Sequence, residues 1–209
     1  MAATETRLES RNGEPALAHE LATEAAASVA DPAPLGLAAF ALTTFCLSLI
    51  NAGLAPKATQ PVVFGLALFY GGVAQLLAGM WEFRKGNTFG ATAFGSFGAF
   101  WLSFWAFAQF YEAKVPAANL KAALGMFLFA WGIFTVYMLI ASLRTTPALV
   151  LVFATLTVTF FLLAYGEAAK AESMVKYGGY MGIITAIIAW YASMAGVVNA
   201  TFGKTVLPK

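Results

Sequence analysis

The sequence predicts an all-α membrane protein: six transmembrane helices, arranged as three helical-hairpin repeats around a narrow pore. Three observations lead there. Hydrophobic residues make up 60% of the 209 residues and charged residues only 11%, against roughly 45–50% and 25% in soluble domains. The charges are placed so that uncharged runs cover residues 32–56, 58–81, 86–111, 122–143, 145–166 and 177–203. Each run reaches the about 20 helical residues that crossing ~30 Å of hydrocarbon takes. The runs are also continuously apolar, whereas a barrel strand alternates over about 10 residues.

That scarcity of charge excludes several classes. A soluble enzyme, a nucleic-acid binder and a disordered chain all need more polar residues than the 12 Lys+Arg and 10 Asp+Glu present. A single cysteine, Cys46, excludes a disulfide scaffold, and with the single histidine, His19, leaves no Cys/His metal site. No metal and no cofactor are expected.

The elements follow in order. Residues 1–30 form a polar tail with five Glu and two Arg. It has neither the basic start nor the apolar core of a secretory signal. Leu17 and Leu21 allow a short amphipathic helix there, although a loosely ordered tail is the plainer reading. His19 lies far along the chain from any span, a poor position for a relay. The transmembrane domain is expected over 31–203, with spans near 35–54, 62–81, 88–109, 122–143, 147–165 and 178–200, and a short tail at 204–209. Asp31 should cap the first helix and Pro32 should occupy its first position, where a missing N–H costs nothing.

The second and fourth spans share the pattern GxxLFxxG, as Gly65-Leu66-Ala67-Leu68-Phe69-Tyr70-Gly71-Gly72 and, 60 residues later, Gly125-Met126-Phe127-Leu128-Phe129-Ala130-Trp131-Gly132. The odd spans share Phe/Thr-rich stretches. A parallel hairpin repeat explains both, and transporters built from repeats place the pathway at the repeat interface. Chance likeness between Gly/Phe-rich helices is the competing reading. Small-residue ladders (Ala91, Gly95, Ala99, Ser103; Gly71, Gln75, Gly79; Ala192, Gly196, Ala200) predict close helix packing. Six spans put both termini on one side. Five cations flank each side, so charge bias does not choose the orientation.

No Asp, Glu, Lys, Arg or His falls within the spans so drawn. This argues against proton pumps and carriers with buried carboxylates, and against intramembrane proteases. What remains is neutral polar chemistry. Thr43, Ser48 and Asn51 in the first span, Gln75 in the second and Thr157 in the fifth are candidate pathway contacts. An unpaired amide in lipid costs several kcal/mol, so Gln75 must either bond across helices or line water. The hydroxyls have a further option in the carbonyls of their own helices.

The stretch Asp31-Pro32-Ala33-Pro34-Leu35-Gly36-Leu37 resembles the NPAPLGL signature of the acetate uptake transporter family. Phe69-Tyr70-Gly71-Gly72-Val73-Ala74-Gln75, Glu82-Phe83-Arg84-Lys85-Gly86-Asn87-Thr88-Phe89-Gly90 and Phe202-Gly203-Lys204-Thr205-Val206-Leu207-Pro208 are similar to further segments of it. The likeness covers roughly 31–208. It implies a homo-hexamer with cytoplasmic termini in a cell membrane, each protomer passing acetate and related small carboxylates such as succinate or formate. It also implies a constriction of Phe, Tyr and Leu, which here falls on Phe40, Phe97 and Leu156, one from each odd span and 57 and 59 residues apart. Phe97 departs from the family's Tyr and leaves the constriction wholly apolar. Asp31 departs from Asn and is expected to favour the protonated acid, with uptake rising as pH falls. The expected function is passage of a small monocarboxylate with its proton. A pathway for ammonia or another small solute, or a non-conducting membrane scaffold, are the alternatives.

Overall fold

The computed structural model describes residues 29–208. The expectations for Leu17, Leu21 and His19 lie outside them. Among the described residues six helices are long and apolar enough to cross a membrane: α1 (Ala33–Asn51), α2 (Lys57–Lys85), α3 (Thr88–Lys114), α4 (Ala117–Ser142), α5 (Pro147–Ala168) and α6 (Glu172–Phe202). Among the described residues there is no strand.

Several ends differ from the sequence expectation. Helix α1 stops at Asn51, where Gly53 takes a positive φ of 76°, a conformation glycine adopts without strain. Helices α2, α3 and α6 run several residues further than the apolar run requires. At the start of α1 the helix opens one residue later than expected, with Pro32 at the cap and no side-chain cap bond to it. Asp31 still takes part, because its Oδ1 accepts from the Ala33 N–H at 3.1 Å.

Neighbours around the bundle are α1 with α2 and α6, α2 with α3, and α5 with α4 and α6. Glycine brings α2 and α3 into backbone contact. A Cβ at Gly79 would sit 2.5 Å from the Gly95 nitrogen, and one at Gly98 2.7 Å from the Leu76 nitrogen. The seam therefore uses Gly98 where the four-residue ladder proposed Ala99, and Ala99 and Ser103 point outward, exposed. The α3–α4 seam is closed by rings instead. Phe100 stacks on Phe127 at 5.5 Å, and Phe97 meets Phe134 edge-on at 5.2 Å.

The two GxxLFxxG segments play partly equivalent roles. Gly72 lies under Leu102 of α3, and Gly132 lies under Phe161 of α5, so the last glycine of each copy receives the next helix. Their backbones differ. In α2 the segment Phe69–Ala74 widens into a π-helical turn, whereas α4 stays α-helical throughout. Such a bulge re-aims the side chains beyond it, and the first residue beyond it is Gln75.

Candidate functional site

The odd helices α1, α3 and α5 all begin at the same end of the bundle, and there they enclose a cavity of about 60 Å³. Its wall has three tiers. Ala33, Gly90 and Leu149 form the outermost, Leu37, Phe94 and Phe153 the next, and Phe40, Phe97 and Leu156 the innermost. Within each tier the residues stand 57 and 59 positions apart. The hairpin repeat therefore reappears as the symmetry of the wall.

The innermost tier is tight. Phe40, Phe97 and Leu156 are 5%, 3% and 3% exposed, and the rings of Phe40 and Phe97 lie 5.7 Å apart. Behind Phe97 stand Phe160, parallel to it at 6.3 Å, and Phe100, edge-on to Phe160 at 5.5 Å. Phe100 lines a second, larger cavity of about 310 Å³ at the opposite end of the bundle, together with Asn51, Lys57, Gln60, Lys121 and Glu167. Lys121 and Glu167 are 3.7 Å apart across its mouth. Two chambers thus face opposite ends of the bundle, with an aromatic partition between them. Phe100 and Phe160 are absent from the sequence-based candidates. Helical spacing could have found them, since they lie three residues after Phe97 and four after Leu156, on the same faces.

The candidate polar contacts separate into two groups. Gln75 lines the first cavity at 1% exposure, and Asn51 lines the second. Thr43, Ser48 and Thr157 line neither. The Thr43 hydroxyl donates to the Ala39 carbonyl at 2.9 Å and Thr157 donates to Phe153 at 2.7 Å, so both are satisfied within their own helices. Thr43 also packs against Gly71, and Ser48 against Gly182, which places them in the α1–α2 and α1–α6 contacts.

The signature segment frames the outer mouth. Gly36 receives the Phe94 ring, whose atoms would lie 2.7 Å from any Cβ there, and the Pro34 carbonyl accepts from the Ser193 hydroxyl at 2.7 Å. Asp31 is ion-paired to Lys85 at 2.8 Å, both about one-third exposed. The negative charge expected to shape anion entry is therefore offset at the mouth by a cation.

One buried carboxyl is absent from the sequence-based candidates. The sequence reading ended the second span at Trp81, but α2 continues and Glu82 is fully buried, at 0% exposure, in the wall of the first cavity. Trp81, Phe83 and Arg84 around it are exposed, so the local sequence resembles an ordinary charged helix end. The signal that finds it is its distance from Gln75. Seven residues are about two helical turns, which puts both on one face.

The turn after Glu82 holds the carboxyl in place. Gly86, with φ 78°, reverses the chain, while the Gly86 N–H donates to Phe83 and the Asn87 N–H to Glu82, at 3.1 and 2.9 Å. This is a Schellman closure. Asn87 then accepts from the Gly90 N–H at 3.1 Å, capping α3, and donates through Nδ2 to Glu82 Oε2 at 2.8 Å. Any Cβ at Gly90 would fall 2.7 Å from the Glu82 carboxyl carbon. Glu82 Oε1 and Gln75 Oε1, both buried, meet no donor among the described residues.

A family model described as the GPR1/FUN34/yaaH family matches residues 14–209. The chain belongs to that family. Among GPR1/FUN34/yaaH relatives, the succinate-acetate/proton symporter SatP of Escherichia coli (strain K12) is 42% identical over 180 residues, spanning 86% of this chain and 95% of its own. Acetate permease A of Emericella nidulans is 43% identical over 195 residues, 86% of this chain and 65% of its own. The solved structure of the bacterial acetate channel SatP superposes with a TM-score of 0.81 at 41% identity, covering 87% of this chain and 99% of that one. The chain is therefore a multi-pass membrane protein with the all-helical architecture of a solved family member.

Proposed function

We propose that this chain conducts acetate and related small carboxylates, succinate and formate among them, across a membrane, with the solute crossing the partition as the neutral acid. The observation that carries this reading is the tiered wall, which narrows to Phe40, Phe97 and Leu156 between two chambers that each hold polar groups. An apolar constriction excludes hydrated ions unless it wets. Among the described residues no cation lines the first cavity, so a bare carboxylate would enter the partition without compensation at a high desolvation cost. A neutral acid crosses more cheaply, and its passage moves a proton with it. The acetate and succinate-acetate specificities named for the relatives support the substrate class.

Within this reading Gln75 offers a hydrogen bond on one side of the partition and Asn51 on the other. Lys57 and Lys121 stand in the second chamber with Glu112 and Glu167, so its charges balance. The protomer works within a homo-hexamer, each copy with its own path, and both termini face the cytoplasm. These last features follow from the family resemblance of the signature segments.

The test is uptake of labelled acetate by purified protein in liposomes, corrected for protein-free liposomes, with and without a pH gradient. Saturable uptake that accelerates when the outside is acidified is expected. Flux no greater than in protein-free liposomes would indicate a scaffold, and ammonium permeation without acetate flux would indicate an ammonia pathway. Either result overturns the proposal.

A further inference from the structure

Among the described residues, Glu82 is the one carboxyl in the wall of the first cavity, and the repeat itself provides a comparison for it. Adding the 60-residue offset of the GxxLFxxG copies takes Gln75 to Thr135 and Glu82 to Ser142 on α4. All four positions are buried to 1% exposure or less. The α4 pair is neutral, small and satisfied: Thr135 donates to the Trp131 carbonyl and Ser142 to the Leu139 carbonyl, each at 2.7 Å. The α2 pair is large, and each of its members leaves an oxygen unpaired. Packing in this bundle is therefore achieved at the equivalent positions without an acid. A buried polar atom without a partner costs free energy, so a carboxyl held here by Asn87 and accommodated by Gly90 calls for a further explanation.

We propose that Glu82 is the proton-exchanging group of the pathway, handing a proton to a carboxylate that enters the first cavity and taking it back from an acid that arrives through the partition. This rests on the carboxylate reading above. In the forward step the O–H bond on Glu82 Oε1 breaks and one forms on the solute's carboxylate oxygen, leaving Glu82 ionised and the solute neutral. Glu82 regains its proton from solvent at the mouth. In reverse, an arriving acid protonates Glu82 and leaves as the anion, so one proton accompanies each solute in either direction. The free oxygen makes the exchange, while Oε2 stays on the Asn87 amide.

The charged groups near Glu82 are Lys85, from its own helix, and Asp31, from the segment before α1, and they pair with each other. The faces presented by α3 and α5 in this cavity, from Gly90, Phe94, Leu149 and Phe153, carry no charge. The carboxyl thus works against an apolar wall with its nearest charges already balanced.

The experiment compares the pH profile of acetate flux in liposomes, corrected for protein-free liposomes, for the full chain and for Glu82→Gln. With Glu82 present, protonation occurs inside the cavity, so flux falls less than tenfold per pH unit between about pH 6 and 8. In Glu82→Gln only acid already neutral in bulk can cross. Its flux falls about tenfold per unit, remaining within about twofold of the unaltered protein at pH 5 and dropping at least tenfold below it at pH 7. Agreement at pH 5 also reports an intact pathway. Identical profiles for the two proteins would overturn the proposal, whereas absence of flux in the unaltered protein would overturn the carboxylate reading instead. Should Glu82→Gln fail to fold, infrared difference spectra of the unaltered protein decide. Adding isotopically labelled acetate should change an unlabelled carboxyl band, and no such change counts against Glu82.

Discussion

Leu156 is the aliphatic member of the innermost tier, and replacing it is the smallest change that would widen the proposed path. Truncation to Ala removes three carbons from a wall in which Phe97 is held by Phe40, Phe134 and Phe160, so the space stays open. Leu156→Ala is expected to raise uptake of a larger hydroxy acid such as lactate at least tenfold while acetate still passes. Its stability cost is roughly 2–5 kcal/mol, toward the low end because one side of Leu156 already faces a cavity. Lactate and acetate uptake by the variant, alongside its thermal unfolding, measure both effects. Unaltered selectivity would remove Leu156 from the constriction. At this scale the sequence was a partial guide. The three proposed constriction residues came from the family resemblance, and all three line one cavity. For the polar candidates, hydroxyls that a sequence shows merely as polar turn out to be spent on backbone carbonyls.

At the scale of the helix, the α2–α3 hairpin carries the site and depends on glycine. Gly79 and Gly95 bring two backbones together, and a backbone atom cannot yield as a flexible side chain does. Gly79→Ala should therefore cost about 1–3 kcal/mol, as overpacking does, and lower the unfolding temperature in detergent. Gly65 is the control: a Cβ there meets nothing within 4 Å. Gly65→Ala should be neutral or raise stability by up to about 1 kcal/mol through helix propensity. Equal losses in the two variants would contradict close packing as the reason for Gly79. The hairpin also explains why Glu82 escaped the sequence reading. Hydropathy marks where an apolar run ends, whereas burial depends on what packs beyond that end, and here the Gly86 reversal folds Asn87 and Gly90 back over the carboxyl.

For the molecule as a whole, the tiers set by α1, α3 and α5 place a complete wall within a single chain. If each copy in a hexamer has its own path, copies conduct independently. Co-assembling the unaltered chain with a variant that blocks flux should lower acetate uptake in proportion to the fraction of blocked copies, as measured in liposomes at fixed total protein. A steeper loss would mean that the path is shared between copies.

The sequence alone determined that the chain carries six spans long and apolar enough to cross a membrane, because length and apolarity are properties of the chain itself; the hairpin repeat it suggested through recurring glycine patterns reappears in the tiers of the cavity wall. Only the tertiary structure decided which groups face the path. Several of these helices are apolar on nearly every side, so no polar stripe marks an inward face. Orientation is set by where neighbouring helices can approach, backbone to backbone at Gly79 and Gly98 and against the Thr43 side chain at Gly71, and by the π turn that precedes Gln75. Thr43 packs on Gly71 and Ser48 on Gly182, away from the cavities, while Gln75 and Glu82 stand in the wall.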